Sequence, residues 1–286
     1  MHIETRNLSH IYAKGTAMEN KALIDVNVTI ERGTWAAIVG STGSGKSTFI
    51  QHLNGLLKPT SGQVLINGKD INAKGVPLVE VRRTVGLVFQ YPEHQIFETT
   101  VYNEVAYGPR NLGFKDAEVT EAVRTALEKV GLDYGDFKDR SPLELSGGEK
   151  RKVAIASVLA MRPQIMVLDE ATAGLDPCGR ERLLREIARL KKDLGLTIVW
   201  VTHNLNEVLT YADKVIVFHK GRLALQGKPM EVFSQVELCE KVKLGVPQLL
   251  ELEYKLKARG LNPPNRFTTL EEAKKAIANL LRGENR

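Results

Sequence analysis

Three groups of residues in this chain have types and spacings suited to phosphate chemistry. The run Gly40-Ser41-Thr42-Gly43-Ser44-Gly45-Lys46-Ser47, continued by Thr48, fits G-x-x-x-x-G-K-[ST]. Glycines there let backbone N–H groups turn inward around phosphate oxygens, and a helix predicted from about Ser47 adds the positive end of its dipole. Lys46 supplies a point charge for the β- and γ-phosphates of a nucleotide, and the Ser47 hydroxyl a ligand for Mg²⁺. The second group is Asp169-Glu170, two acids that close the apolar run Ile165–Leu168. Carboxylates at the C-terminal end of a buried strand stand at the crevice where α/β folds bind ligands. Asp169 is read as a Mg²⁺ ligand, directly or through water, and Glu170 as the group that orients and polarises the attacking water. The third is His203, which follows the apolar run Thr197–Val201 and is a candidate to contact the γ-phosphate and steady that water.

A fourth feature is less expected in a chain that already has a phosphate loop. Ser146-Gly147-Gly148 stands at the start of a helix predicted over Glu149–Met161, which makes a second glycine-rich, anion-binding terminus. One nucleotide does not need two such cradles from one chain. A dimer in which each subunit lends the second cradle to its partner's nucleotide uses both.

These residues need a scaffold of alternating strands and helices. The predicted strands are Thr34–Val39, Ile165–Leu168, Thr197–Val201 and Lys214–Phe218, with a helix over Gly179–Leu194. That alternation implies a mostly parallel sheet covered on both faces. Residues up to about Gln90 read as short β-rich segments, and about Thr99 to Met161 as helical. In the helical stretch Val119, Val123, Ala126, Leu127 and Val130 share helical spacing, and Gly131 is a C-terminal stop. After about Lys228, Leu249, Leu250, Leu252 and Leu256 form a leucine-rich helical stretch broken by Gly260 and Pro263-Pro264. A last helix starts with a capping box, Thr269 to Glu272, and carries Ala273, Ile277, Leu280 and Leu281 on one face. Packing on the parent domain and contact with another protein are both open readings for these last helices.

Bulk properties exclude several classes. No apolar stretch approaches the roughly 20 residues of a membrane-spanning helix. The start, Met1 to Leu8, alternates like a strand and does not resemble a signal peptide, so a cytosolic protein is expected. The two cysteines, Cys178 and Cys239, lack metal-ligand spacing and fit a reducing compartment. The net charge of +6 comes without a cluster of Lys and Arg interleaved with aromatics, so a nucleic-acid partner is not expected.

Leu145–Glu149 resembles the signature motif of ABC ATPases, and the other family elements occur in order. Tyr12 stands where the family has an aromatic residue stacked on adenine. Gln90, in Val88-Phe89-Gln90-Tyr91-Pro92, is similar to the Q-loop glutamine. Ala173-Gly174-Leu175-Asp176 resembles the D-loop, and His203 the switch histidine. The likeness runs from the N-terminus to about Gly227. Glu149 replaces the commoner glutamine and Ala171 a common proline; neither change removes a catalytic group.

The resemblance implies a P-loop NTPase core with an antiparallel β subdomain, an α-helical subdomain and a small C-terminal helical extension. Its expected boundaries are 1–227 for the ATPase domain, with the helical subdomain at about 91–161, and 228–286 for the extension, a dimerisation element. It also implies ATP and Mg²⁺ at the site, with Tyr12, Gly40 to Thr48, Ser146 to Gly148 and Asp176 around the nucleotide and Ser47, Gln90 and Asp169 around the metal. Glu170, His203, Gln90 and Lys46 are the expected catalytic group.

At finer grain, Gln90–Phe97 and Val101–Gly113 are similar to energy-coupling factor ATPases, and Ala171–Pro177 to the second of the two ATPase types that pair in those importers. This implies ATP hydrolysis that powers uptake of vitamins or other micronutrients from the cytoplasmic face of the membrane. The implied partners are a second ABC ATPase, a transmembrane scaffold and a substrate-binding membrane subunit. The homodimeric ATPase of a cobalt or nickel importer is the related alternative. ABC ATPases of translation or DNA repair usually join two ATPase domains in one chain or carry long coiled coils, and neither is present.

Overall fold

The computed structural model describes residues 2–261 and 270–282. Among the described residues ten strands follow one another: β1 (Ile3–Tyr12), β2 (Asn20–Ile30), β3 (Trp35–Val39), β4 (Ser61–Ile66), β5 (Lys69–Asp70), β6 (Val85–Val88), β7 (Ile165–Asp169), β8 (Thr197–Val201), β9 (Lys214–His219) and β10 (Arg222–Gly227). They form a four-stranded sheet of order β2-β1-β4-β5 and a six-stranded sheet of order β10-β9-β3-β8-β7-β6. Every pairing in the first is antiparallel. The second is parallel except for β10 on its edge, which returns through a hairpin from β9.

The apolar runs explain the second sheet. β3, β7 and β8 are buried at every position, as strands covered on both faces must be. Alternation along β3 divides its side chains between two cores. Trp35, Ala37 and Val39 join Met166, Leu168, Ile198 and Trp200 on one face. Ala36 and Ile38 join Ile165, Val167, Val199 and Val201 on the other. The helix Lys46–Leu53 is clamped on this second face, where Phe49, Ile50 and Leu53 meet Ile3, Leu23 and Val64 of the antiparallel sheet. Burying each of those three side chains is worth roughly 1.5–3 kcal/mol, so the helix that starts at the phosphate loop is held from both sides.

The stretch predicted as helical from Thr99 to Met161 divides into helices Val101–Asn111, Asp116–Lys129, Tyr134–Phe137 and Gly147–Leu159. Local capping sets these breaks: Thr100, Asp133 and Ser146 each accept a hydrogen bond from a backbone N–H of the first turn that follows. Gly131 sits just past the helix end with φ +69°, the left-handed turn that a glycine stop supplies. The helix predicted over Glu149–Met161 begins two residues earlier, because both glycines enter its first turn behind the Ser146 cap. The helix predicted over Gly179–Leu194 likewise begins at Pro177, behind Asp176.

Past β10 the chain adds helices Pro229–Phe233, Val236–Lys241, Gln248–Ala258 and Leu270–Arg282. Val232, Phe233, Cys239, Leu244 and Leu250 join the same core as Trp35 and Trp200. Of the predicted leucine stripe only Leu250 is buried; Leu249, Leu252 and Leu256 are half-buried. Ala273 is buried and Ile277 half-buried. Thr269 and Pro263-Pro264 lie outside the described residues, as do the side chains of Leu280 and Leu281.

Candidate active site

The loop Gly40–Gly45 leaves the C-terminal end of β3 and feeds the helix Lys46–Leu53. Backbone contacts fix its shape. Gly40 lies so close to β9 that a Cβ there would stand 2.3 Å from the Phe218 carbonyl oxygen. Gly45 has φ +105°, and its Cβ would stand 2.6 Å from the Ala22 carbonyl oxygen. Only glycine fits either position. The Gly221 N–H donates to the Ser44 carbonyl at 3.0 Å, which ties the loop to the β9–β10 hairpin.

Lys46 is almost wholly buried under this loop, and its Nζ donates to the carbonyls of Gly40 at 2.9 Å and Ser41 at 3.0 Å. Burial pushes the Lys46 ammonium down from the ordinary lysine range, and the charges of Glu170 and Asp169 oppose that shift. A desolvated cation held by carbonyls at the start of a helix is a ready partner for phosphate oxygens.

Behind the loop, Asp169 ends β7 and is buried. Burial raises its carboxyl above the usual range and the neighbouring Glu170 raises it further, whereas a hydrogen bond with Ser47 and the charge of Lys46 lower it. Glu170 is the next residue and turns out into a cavity of about 520 Å³. Its backbone has φ +48°, a left-handed conformation for a non-glycine residue, and such strain of about 1–3 kcal/mol collects at functional sites. The turn is closed by the Ala173 N–H donating to the Glu170 carbonyl at 2.8 Å. One oxygen of the Glu170 carboxylate accepts from Gln90 Nε2 at 3.1 Å, the other from His203 Nε2 at 2.8 Å. A carboxylate only accepts, so the His203 ring carries its hydrogen on Nε2.

The same cavity is lined by Tyr12, Thr42, Gly43, Gly45, Lys46, Ser47, Thr48, Gln90, Glu170 and His203. Its size suits a nucleotide. Of the remaining expected residues, Gly40, Ser41 and Ser44 form the body of the loop, and Asp169 lies behind Ser47. Tyr12 is positioned from behind: its hydroxyl is 3.2 Å from Thr48 Oγ1 and its ring meets His10 edge-on, with centroids 4.5 Å apart. His10 and the fully buried His52 share a contact of 3.1 Å, and His52 Nδ1 donates to the Thr48 carbonyl at 2.7 Å.

Ser146, Gly147, Gly148 and Asp176 do not line this cavity. Ser146 caps its own helix, and the Glu149 carboxylate accepts from the Ser146 N–H at 2.8 Å and hydroxyl at 2.7 Å. Those two bonds hold the Glu149 carboxyl below the usual carboxylate range. Around Gly147 and Gly148 a Cβ would meet nothing within 4 Å. Asp176 caps the helix Pro177–Leu194 by accepting from the Gly179 N–H.

Sequence reasoning missed part of the site. Lys220, Gly221 and Asn20 to Ala22 also line the cavity. Lys220 had a readable signal: it is a cation just past the C-terminal end of a buried strand, the crevice side of a parallel sheet. His10 also had one, two residues before Tyr12 on the same strand face. Asn20 to Ala22 reach the loop only through the packing of one sheet on the other, which no local pattern announces.

Known proteins resemble this chain along most of its length. A family model described as "ABC transporter" matches residues 23–173. The energy-coupling factor transporter ATP-binding protein EcfA2 of Clostridium perfringens is 50% identical over 285 residues, which cover 100% of both chains. The protein of the same description from Streptococcus agalactiae is 46% identical and covers 97% of this chain and 99% of its own. Among solved structures, cbiO1 of Clostridium perfringens, described as part of the ABC transporter complex cbiONQ, superposes with a TM-score of 0.74 at 39% identity, covering 87% of this chain and 97% of that one. A dimeric ATP-binding cassette in a post-hydrolysis state with ADP and Pi superposes with a TM-score of 0.69 at 28% identity, covering 79% of this chain and 98% of that one.

Proposed function

The chain belongs to the ABC transporter family, among its energy-coupling factor ATP-binding proteins, and from that premise we propose that it hydrolyses ATP in a site completed by a second ABC ATPase. The observation that carries this reading is the separation of the two anion-binding termini. Thr42, Gly43 and Gly45–Thr48 line a cavity with the candidate catalytic residues, while Ser146–Gly148 lies outside it, capped and open.

In this reading the chain's own cradle grips one ATP. Thr42 to Thr48 surround its phosphates with N–H groups and hydroxyls, Lys46 gives its charge to the β- and γ-phosphates, and Tyr12 stacks on the base. Ser146, Gly147 and Gly148 give the N-terminus of their helix to the γ-phosphate of the partner's ATP. Asp176 stands at the start of its helix on the face where the two subunits meet. Glu170 accepts a proton from the attacking water, and Gln90 and His203 fix the direction of its carboxylate.

The residues present fit Mg²⁺. A buried carboxylate, Asp169, shares a hydrogen bond with the Ser47 hydroxyl. Oxygen ligands of this kind together with substrate phosphates suit the ion, and Gln90 supplies a side-chain oxygen. Among the described residues no group of three or more His, Cys, Asp or Glu forms a closed metal cage. When bound, Mg²⁺ neutralises charge building on the phosphates.

No helix among the described residues is long and apolar enough to cross a membrane. The proposed work is therefore done on other subunits from a peripheral position: a transmembrane scaffold and a substrate-binding membrane subunit, with vitamins or other micronutrients as cargo. The energy-coupling factor reading rests on the higher identity and full-length cover of those relatives. Residues 1–227 then form the ATPase domain, with the helical subdomain at about 91–161, and 228–286 an extension that contacts the second ATPase.

The test is Glu170→Gln in the complex isolated from membranes. Removing the base lowers kcat by roughly 100-fold or more and leaves ATP binding intact, measured by phosphate release and by titration with a fluorescent ATP analogue. Hydrolysis at the wild-type rate in that variant refutes the role of Glu170.

A further inference from the structure

Arg151 is buried, 5% exposed, yet it takes no part in the cavity described above. It is the fifth residue of the helix Gly147–Leu159 that Ser146 caps. Its guanidinium makes a fork with the Glu93 carboxylate: Nη2 donates to Oε1 at 2.8 Å and to Oε2 at 3.1 Å, and Nε to Oε2 at 3.1 Å. Nη2 also donates to the Ala173 carbonyl at 3.1 Å.

These partners sit on two further loops. Glu93 is three residues past Gln90, in the short helical turn Pro92–Gln95, which the chain enters through Tyr91 in a left-handed conformation. Ala173 is the residue whose N–H closes the strained turn on the Glu170 carbonyl. The contacts make a closed circuit. Gln90 leads along the chain to Glu93, Glu93 pairs with Arg151, and Arg151 holds Ala173. Ala173 holds the backbone of Glu170, and the Glu170 carboxylate returns to Gln90 at 3.1 Å. Arg151 is the one member that belongs to the helix carrying the second anion-binding terminus.

An ion pair with one buried and one half-buried partner is a weak source of stability, because the charges lose much of the solvation that they regain in attraction. Its established use is to fix register between elements. The planar guanidinium fork adds direction, since it holds a carboxylate in one orientation that a lysine does not impose. We propose that Arg151 is a positioning residue that ties the signature helix to the loops bearing Gln90 and Glu170. ATP held by the partner and engaged by Ser146–Gly148 then sets the geometry for hydrolysis of the ATP in this chain's own cradle. The inference rests on the proposed two-subunit site and names how its two ATPs communicate.

The test uses the membrane complex carrying the full-length chain as wild type, Arg151→Met, Arg151→Lys, Glu93→Gln and the Arg151→Met/Glu93→Gln double variant. Each single change breaks the ion pair and leaves one of its charges with fewer partners, so it lowers both Tm and kcat. The double change removes both charges, so Tm recovers toward wild type, while kcat stays about 10- to 100-fold down because the fork is still missing. KM for ATP and the affinity for a fluorescent ATP analogue stay within about twofold throughout, since Lys46, Ser47 and Tyr12 are untouched. Arg151→Lys, which keeps the charge without the fork, falls between wild type and Arg151→Met in kcat. The proposal is overturned if kcat recovers together with Tm in the double variant, since Arg151 then only holds the fold, or if Arg151→Met turns over normally. Glu170→Gln in the same complex separates the two claims: turnover that survives it defeats the proposed function itself, whatever the Arg151 variants do.

Discussion

At the phosphate loop, Gly40 and Gly45 are pressed against the Phe218 and Ala22 carbonyls, Lys46 is buried and bonded to two backbone oxygens, and a cavity of about 520 Å³ stands in front. At the second anion-binding terminus, Gly147 and Gly148 have open space where a Cβ would go, and the Ser146 hydroxyl is bonded to Glu149 of its own chain. Both termini use the same physics, N–H groups at the start of a helix. The first is shaped by the chain's own backbone before any ligand arrives; the second has glycines that nothing in the chain requires. Glycine kept where the chain leaves room for a side chain speaks for something from outside coming close, and the proposed partner ATP is that visitor.

The sharpest contrast comes from adding one methyl group at each terminus. Gly45→Ala places a Cβ at 2.6 Å from a carbonyl oxygen in a left-handed conformation. We expect a loss of about 1–3 kcal/mol, a Tm lowered by roughly 2–4 °C for each of those, and failure to bind a fluorescent ATP analogue. Gly148→Ala meets no neighbour and gains helix propensity, so Tm stays level or rises slightly and binding by the isolated chain is unchanged. Calorimetry and analogue titration read both; equal losses at the two glycines erase the contrast.

A smaller effect lies behind Tyr12. Burial pushes His52 below the ordinary histidine value of about 6.5, against hydrogen bonds that raise it. The unfolded chain therefore binds a proton at His52 before the folded one does, and the folded state is destabilised as pH falls from about 6.5 toward the lowered value. Tm measured across that window declines in the wild type and declines less in His52→Asn. His2 is lowered in the same direction, also by burial, so some slope remains. An unchanged slope in His52→Asn removes the histidine pair from the account.

Much of the site was legible because its chemistry is local. The loop, Asp169-Glu170 and His203 each stand at the end of an apolar run, and a run of that kind has one destination in a sheet covered on both faces. The same logic located β3, β7, β8 and β9. What sequence did not disclose depends on where separate loops meet. Nothing near Glu93, Arg151 or Ala173 in the chain says that they touch, and Lys220 reaches the cavity only because β9 pairs with β3. Helix starts shifted by two residues at Gly147 and Pro177, since capping side chains outweigh the first apolar residue in setting a boundary.

One variant tests the central claim most directly. Gly148→Asp adds a carboxylate where the chain has open space, at a helix N-terminus that favours negative charge, so the chain folds. Its own cradle is untouched. The account predicts that the isolated chain binds a fluorescent ATP analogue with wild-type affinity, while ATP turnover by the membrane complex falls at least about tenfold, because the new charge faces the partner's γ-phosphate. Wild-type turnover in that complex, or loss of analogue binding by the folded isolated chain, would contradict the assignment of Ser146–Gly148 to a second subunit's nucleotide.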